Sequence, residues 1–175
     1  KSGDKEAKAQ LAVMEKALSP LREGKPARAA NITPEERPAF VALQLLTSKP
    51  VLYVCNVSEA EAANGNAYTK RMEEKAKAEG RGCVVISAAL EAEVAQLPSE
   101  ERTAFLADLG LEETGLARVI RAGHGLLDLI TFFTVGPKEA HAWTVRNGAK
   151  APEAAGAIHT DFERGFIRAE TIAYD

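Results

Sequence analysis

Apolar residues recur at helical spacing through the first part of the chain. Leu11, Met14, Leu18 and Leu21 stand three and four residues apart with Lys and Glu between them, which predicts a helix over 4–23. The stripe is narrow, as on one arm of a helical hairpin or coiled coil whose partner lies upstream. Gly24-Lys25-Pro26 ends it. Thr33 before Pro34-Glu35-Glu36 has the form of an N-cap with proline and acids in the first turn. A second helix is expected from there to about Leu46, with Phe40, Leu43 and Leu46 on its buried face and Pro38 early enough to be tolerated.

The pattern then shortens. Val51 to Cys55 is a continuous apolar run, the signature of a strand buried on both faces of a parallel sheet. Residues 66–79 read as a helix ending at Gly80, and Gly82 to Ile86 as a second strand ending in Ser87-Ala88. Helices are expected over 89–97, over 99–108 behind Pro98-Ser99-Glu100-Glu101, and over 112–127 with a break near Gly123 and Gly125. Strand, helix, strand at this spacing is half of a doubly wound α/β domain. Beyond Leu127 the texture changes. Leu129 to Val135 is β-branched and aromatic, Gly136-Pro137 is a turn, and Glu139 to Arg146 alternates with His141, Trp143 and Val145 on one face. A short helix from Ala151-Pro152 and a third strand over Phe166 to Tyr174 complete the outline of a small β-grasp-like domain.

Length and composition bound this picture. The chain has 175 residues, 46% hydrophobic and 27% charged, which fits one ordinary domain or two small ones of a soluble protein. No apolar run approaches a membrane span, and Lys1-Ser2-Gly3-Asp4 is not a signal peptide. The expected setting is cytoplasmic, without membrane contact. Net charge is −3, but Lys and Arg outnumber Asp and Glu by nine to six over residues 1–49, against six to twelve over 50–114. The first segment is compatible with an RNA-facing surface and equally with a solvated helix. Cys55 and Cys83 both lie in apolar runs and read as reduced, buried thiols. The chain opens without Met inside a charged helical pattern and stops just after a strand-like run, which reads as a piece of a longer protein.

The candidate chemistry sits at the strand ends. Asn56-Val57-Ser58-Glu59 follows the first strand, and Ser87-Ala88 follows the second. Open α/β sheets bind ligands just past the carboxyl ends of their strands. An Asn followed three residues later by a carboxylate is how P-loop nucleotide hydrolases grip the base, and a Ser-Ala on the next loop aims a backbone N–H at it. In guanine-specific proteins the pattern is Asn-Lys-x-Asp. Here Val57 stands where Lys would lie along the base and Glu59 replaces Asp. A carboxylate set for guanine N1–H would repel adenine N1, whereas a Glu on a loop without the Lys can sit elsewhere and leave room for adenine, so the site is expected to accept ATP at least as well as GTP.

No Gly-x-x-x-x-Gly-Lys-[Ser/Thr] occurs, and no Asp follows a strand as a Mg²⁺ holder. What remains is a base pocket without a phosphate cradle. His124, His141 and His159 fit no metal-ligand spacing and read as structural or surface residues. Asp161, Glu163 and Arg164 near His159 fit a turn as well as a catalytic cluster, and Trp143, Phe132, Phe133 and Phe166 suit a core rather than a stacking platform.

The stretches Leu46 to Glu59, Thr131 to Glu139, Ala142 to Val145 and Ala151 to Glu170 resemble the YchF/Obg-like ATPase family, and the resemblance covers nearly the whole chain. It implies a partial P-loop NTPase domain with one arm of a helical hairpin, followed by a β-grasp (TGS) domain. Residues 1–23 would be the hairpin arm, 24–122 the C-terminal part of the nucleotide domain and 123–175 a truncated TGS domain. It also implies binding and hydrolysis of ATP, with GTP as the lesser substrate, Mg²⁺ held outside this chain, and a ribosome or RNA partner. Base recognition would fall to Asn56, Val57, Ser58, Glu59, Ser87 and Ala88. The alternative is a ribosome- or RNA-binding module without catalysis of its own.

Overall fold

The computed structural model describes residues 2–173, with side chains from residue 5 onward, and divides into two compact units, residues 1–50 and 51–175. The expected Tyr174 end of a last strand lies outside the described residues.

In the first unit, α1 runs Ser2–Arg22. It ends in a Schellman turn: Lys25 N–H donates to Pro20 O, Gly24 N–H to Leu21 O, and Gly24 takes φ +72. The buried face of α1 is not the predicted stripe. Val13 and Ala17 are each 2% exposed and pack with Ala27 and Phe40, whereas Leu11, Met14, Leu18 and Leu21 face outward. The helix therefore has two apolar faces, and residues 27–45 cover only one. The second helix is also shorter than its pattern implies. Pro34 to Glu36 form a turn, and α2 spans only Arg37–Ala42. Pro38 has no N–H to give to Pro34 O, so the helical ladder cannot start earlier. Gln44 at φ +52 stops it, and Leu46 is left 80% exposed.

In the second unit, β1 (Leu52–Asn56) and β2 (Gly82–Ile86) pair in parallel with Val54 opposite Val84, connected by α3 (Ala67–Ala78). Asn66 caps α3, its side-chain oxygen accepting from Tyr68 and Thr69 N–H. Then follow α4 (Ala88–Gln96), α5 (Ser99–Asp108) and α6 (Gly115–Leu126). Leu90, Val94, Leu106 and Leu111 close a core around Ala62, which is 3% exposed. The expected break at Gly123 and Gly125 is absent: α6 runs through both, and Leu127 N–H still reaches Gly123 O. Glycine weakens a helix interior by about 1 kcal/mol without removing its hydrogen bonds, so it does not by itself break one.

β3 (Leu129–Val135) and β4 (Ala140–Arg146) form an antiparallel hairpin with Phe132 opposite Trp143. Phe132 and Trp143 are half-buried, and the Trp143 indole N–H donates to Thr134 Oγ1, while Phe133 on the other face is 52% exposed. Two short helices follow, α7 (Ala151–Ile158) and α8 (Thr160–Arg164). The third strand expected from Phe166 is not formed over 166–173, where Ile167 and Ile172 are each 92% exposed. A strand exists through its ladder, and this segment pairs with neither β3 nor β4.

Candidate functional site: two loops at the carboxyl end of the parallel strands

The ladder of β1 and β2 continues one step beyond Asn56, where Val57 N–H donates to Ile86 O at 2.9 Å. That bond sets the direction in which each chain leaves the sheet. β1 passes into the loop of Val57 and Ser58 and then a single 3-10 turn, Glu59–Glu61. β2 passes directly into α4, with Ser87 as its N-cap. Ser87 is 2% exposed, and its hydroxyl oxygen lies 3.5 Å from the Leu90 N–H it accepts.

One side chain joins the two loops. Asn56 Oδ1 accepts the Ala88 N–H at 2.9 Å, across thirty-two residues of sequence. The bond satisfies an orphan donor in the first turn of α4 and fixes the Asn56 amide between the loops. The Glu59 turn is held from below by Ala62, a member of the α4–α5 core. Ser58 is committed within its own loop: its hydroxyl donates to Glu61 Oε2 at 2.7 Å, and its N–H to the same oxygen at 3.3 Å. Those bonds, with a further one from Asn66, hold the Glu61 carboxyl below its usual range. Asn56, Ser58, Glu59 and Ala88 are exposed, while Val57 is half-covered. The six residues singled out from the sequence therefore share one end of one sheet, with the Asn56 amide joining the two loops and Ser87 serving as a buried cap.

Two elements that periodicity did not reveal complete the surroundings. The Glu91 carboxylate accepts the N–H groups of Gly115 at 2.6 Å and Leu116 at 3.0 Å, so α4 is clasped to the first turn of α6. Gly115 is required there, because a Cβ would stand 2.9 Å from both Glu91 Oε1 and Ile86 Cγ2. In the sequence, Glu91 is one acid among several in helical segments, and nothing marks its partner twenty-four residues on. A neighbouring concavity of about 270 Å³ is lined by Gly65, Glu73, Cys83 and Arg118 among others and includes none of the six residues.

The histidines are dispersed. His141 packs against Trp143 with ring centres 4.2 Å apart and the rings tilted by 41°, and His159 Nδ1 accepts the Asp161 N–H at 3.2 Å, so His159 and Asp161 belong to the α7–α8 turn. Among the described residues no three His, Cys, Asp or Glu side chains gather closely enough to hold a metal ion, and no helix is long and apolar enough to cross a membrane.

The family model YchF-GTPase_C, described as a protein of unknown function (DUF933), matches residues 129–175. The chain is 51% identical over its whole length to the ribosome-binding ATPase YchF of Escherichia coli O157:H7, covering 48% of that protein. It is 46% identical to the protein of the same name from Bacillus subtilis, again over all of this chain and 48% of the relative. The structure of the Schizosaccharomyces pombe YchF GTPase superposes with a TM-score of 0.81 at 34% identity, over 93% of this chain and 44% of that one. The chain is similar in sequence to the YchF proteins over its whole length and in fold over 93% of it, and it spans about half the length of the curated relatives it matches.

Proposed function

We propose that this chain carries the base-recognition loops of a nucleotide-hydrolysing, ribosome-associated protein of the YchF type, with ATP as the preferred nucleotide. The observation that carries the reading is the Asn56 Oδ1 to Ala88 N–H bond, which joins two loops at the ligand-binding end of a parallel α/β sheet. The names of the relatives, ribosome-binding ATPases, support the activity and the partner. The 1–23 arm, the 24–122 nucleotide-domain portion and the 123–175 TGS domain are part of the same proposal. Phosphate binding, Mg²⁺ and hydrolysis rest on the part of the relatives' length that this chain does not span.

The chemistry at the base follows from the donors and acceptors available. With the Ala88 N–H given to Asn56, guanine O6 has no donor at that point. Asn56 Oδ1 keeps a second lone pair for the 6-amino group of adenine. Val57 offers an apolar surface to the base, and Glu59 projects from an anchored turn as the carboxylate that faces the ligand. ATP should compete with a fluorescent nucleotide on the full-length protein at least as well as GTP. A preference for GTP of about a hundredfold, roughly 2.7 kcal/mol, would refute the adenine assignment.

A ribosome- or RNA-binding role independent of hydrolysis is the second reading, favoured by the nine Lys and Arg against six acids over residues 1–49. It requires ribosome binding that weakens steeply with salt and persists without nucleotide.

A further inference from the structure

We infer that Glu91 is a positioning residue for base recognition: it clasps α4 to α6 and thereby fixes the Ala88 N–H that Asn56 holds. The inference rests on the base-site reading above and extends it to a residue that touches no ligand.

Ala88 is the first residue of α4, so the direction of its N–H is the direction of that helix start. One turn on, Glu91 spends both carboxylate oxygens on α6, accepting from Gly115 at 2.6 Å and Leu116 at 3.0 Å. A carboxylate on two consecutive N–H groups at a helix N-terminus is a strong, directional cap, because charge-assisted bonds and the helix dipole act together. Thr114 takes a third N–H, that of Ala117, so the first turn of α6 is anchored from two sides. The site of the clasp is also set by packing. Gly115 sits against Ile86, whose carbonyl receives the Val57 N–H. The α6 start thus rests on the residue that ends the β2 ladder, with the Asn56 loop on one side and α4 on the other.

Without the carboxylate, the N–H groups of Gly115 and Leu116 lose their acceptor, and the start of α4 is left to the Asn56 bond, the Ser87 cap and the Leu90 and Val94 packing. A small rotation of that start would misdirect Ala88 while leaving the fold intact. The loss should fall on base-dependent affinity and not on affinity for the phosphates.

The test compares Glu91→Ala, Glu91→Gln and Asn56→Ala with the parent in the full-length protein, measuring ATP, GTP and inorganic tripolyphosphate by competition and thermal midpoint in parallel. The expected result is a five- to thirtyfold weaker ATP affinity in Glu91→Ala, unchanged tripolyphosphate affinity, and partial rescue in Glu91→Gln, which keeps one acceptor oxygen. If Glu91→Ala does not fold, Glu91→Gln carries the test through a smaller, ATP-selective loss. Asn56→Ala binding like the parent overturns the base-site reading and this inference with it. Asn56→Ala weakened while the Glu91 variants bind ATP like the parent, or lose ATP and tripolyphosphate equally, overturns the positioning role alone.

Discussion

Cys55 and Cys83 bring their sulfur atoms to 3.7 Å on adjacent strands while standing out of register, since Tyr53 is the Cα partner of Cys83 and Cys55 that of Val85. Two residues of stagger on strands about 4.8 Å apart put the two Cα atoms roughly 8 Å from one another. Disulfides need less than about 7 Å, so this is a pair of neighbouring thiols and not a latent cross-link. Burial, then the hydrogen bond and charge shared with Cys55, push the Cys83 thiol up to about 11. At pH 7.5 the native protein should show no intramolecular disulfide with glutathione disulfide, and Cys83 should alkylate far more slowly than a free thiol. A mass loss of about 2 Da with retained fold, following the loss of two thiol hydrogens, would overturn this.

Within α6, two glycines should respond in opposite directions to the same change. Gly115→Ala places a methyl 2.9 Å from Ile86 Cγ2 and Glu91 Oε1, an overpacking that costs about 1–3 kcal/mol. Gly123→Ala meets nothing within 4 Å at a helical position, so it should stabilise by about 0.5–1 kcal/mol. Urea midpoints of the two variants decide the matter, and a stabilised Gly115→Ala would mean that the α6 start is not seated on β2.

These glycines also mark the limit of what the chain discloses before folding. β1, β2, β3 and β4 announce themselves as short apolar or alternating runs between turn residues. The loops after β1 and β2 follow at once as the place for a ligand. Tertiary partners are not written locally. Periodicity reports only that a face is apolar, so it chose Leu11, Met14, Leu18 and Leu21 on α1 where packing buries Val13 and Ala17. It reads Gly123 as a break because propensity is unfavourable, although the hydrogen bonds persist. Phe166 to Ala173 has strand composition but pairs with no strand among the described residues. The Glu91 clasp was invisible for the related reason that a carboxylate's role depends on which donor the fold brings to it.

Acid should act on the first unit through Glu36. Its carboxylate accepts the Lys16 ammonium at 2.7 and 2.8 Å and the Thr33 N–H at 3.1 Å, and the Lys16 bond leads in lowering its pKa from the ordinary 4.5. A depressed native value means the contribution is whole above the unfolded pKa and fades as pH falls through the native one. Stability of residues 2–50 should therefore decline below about pH 4.5, and Glu36→Gln should flatten that decline. The pair is partly open to solvent, so the slope should shrink further in high salt. Denaturation midpoints between pH 6 and 2.5 test this, and an identical profile for parent and variant would exclude Glu36 as the titrating group.

Glu59 and Glu61 stand in the same turn, and the structure separates their roles. Glu61 is consumed by the Ser58 hydroxyl and N–H and holds the loop, whereas Glu59 projects from the turn with no bond to another described side chain. The two alanine variants should then fail differently. If Glu59 faces the base as proposed, Glu59→Ala should weaken ATP binding by roughly 1–3 kcal/mol with little change in melting temperature. Glu61→Ala frees the loop, so it should lower the melting temperature as well as weaken both nucleotides alike. Glu59→Asp keeps the charge but shortens the reach, and should shift the balance of ATP to GTP more than either alanine variant does. Unchanged affinity for both nucleotides in Glu59→Ala would remove Glu59 from the site and leave base recognition to Asn56 and Val57.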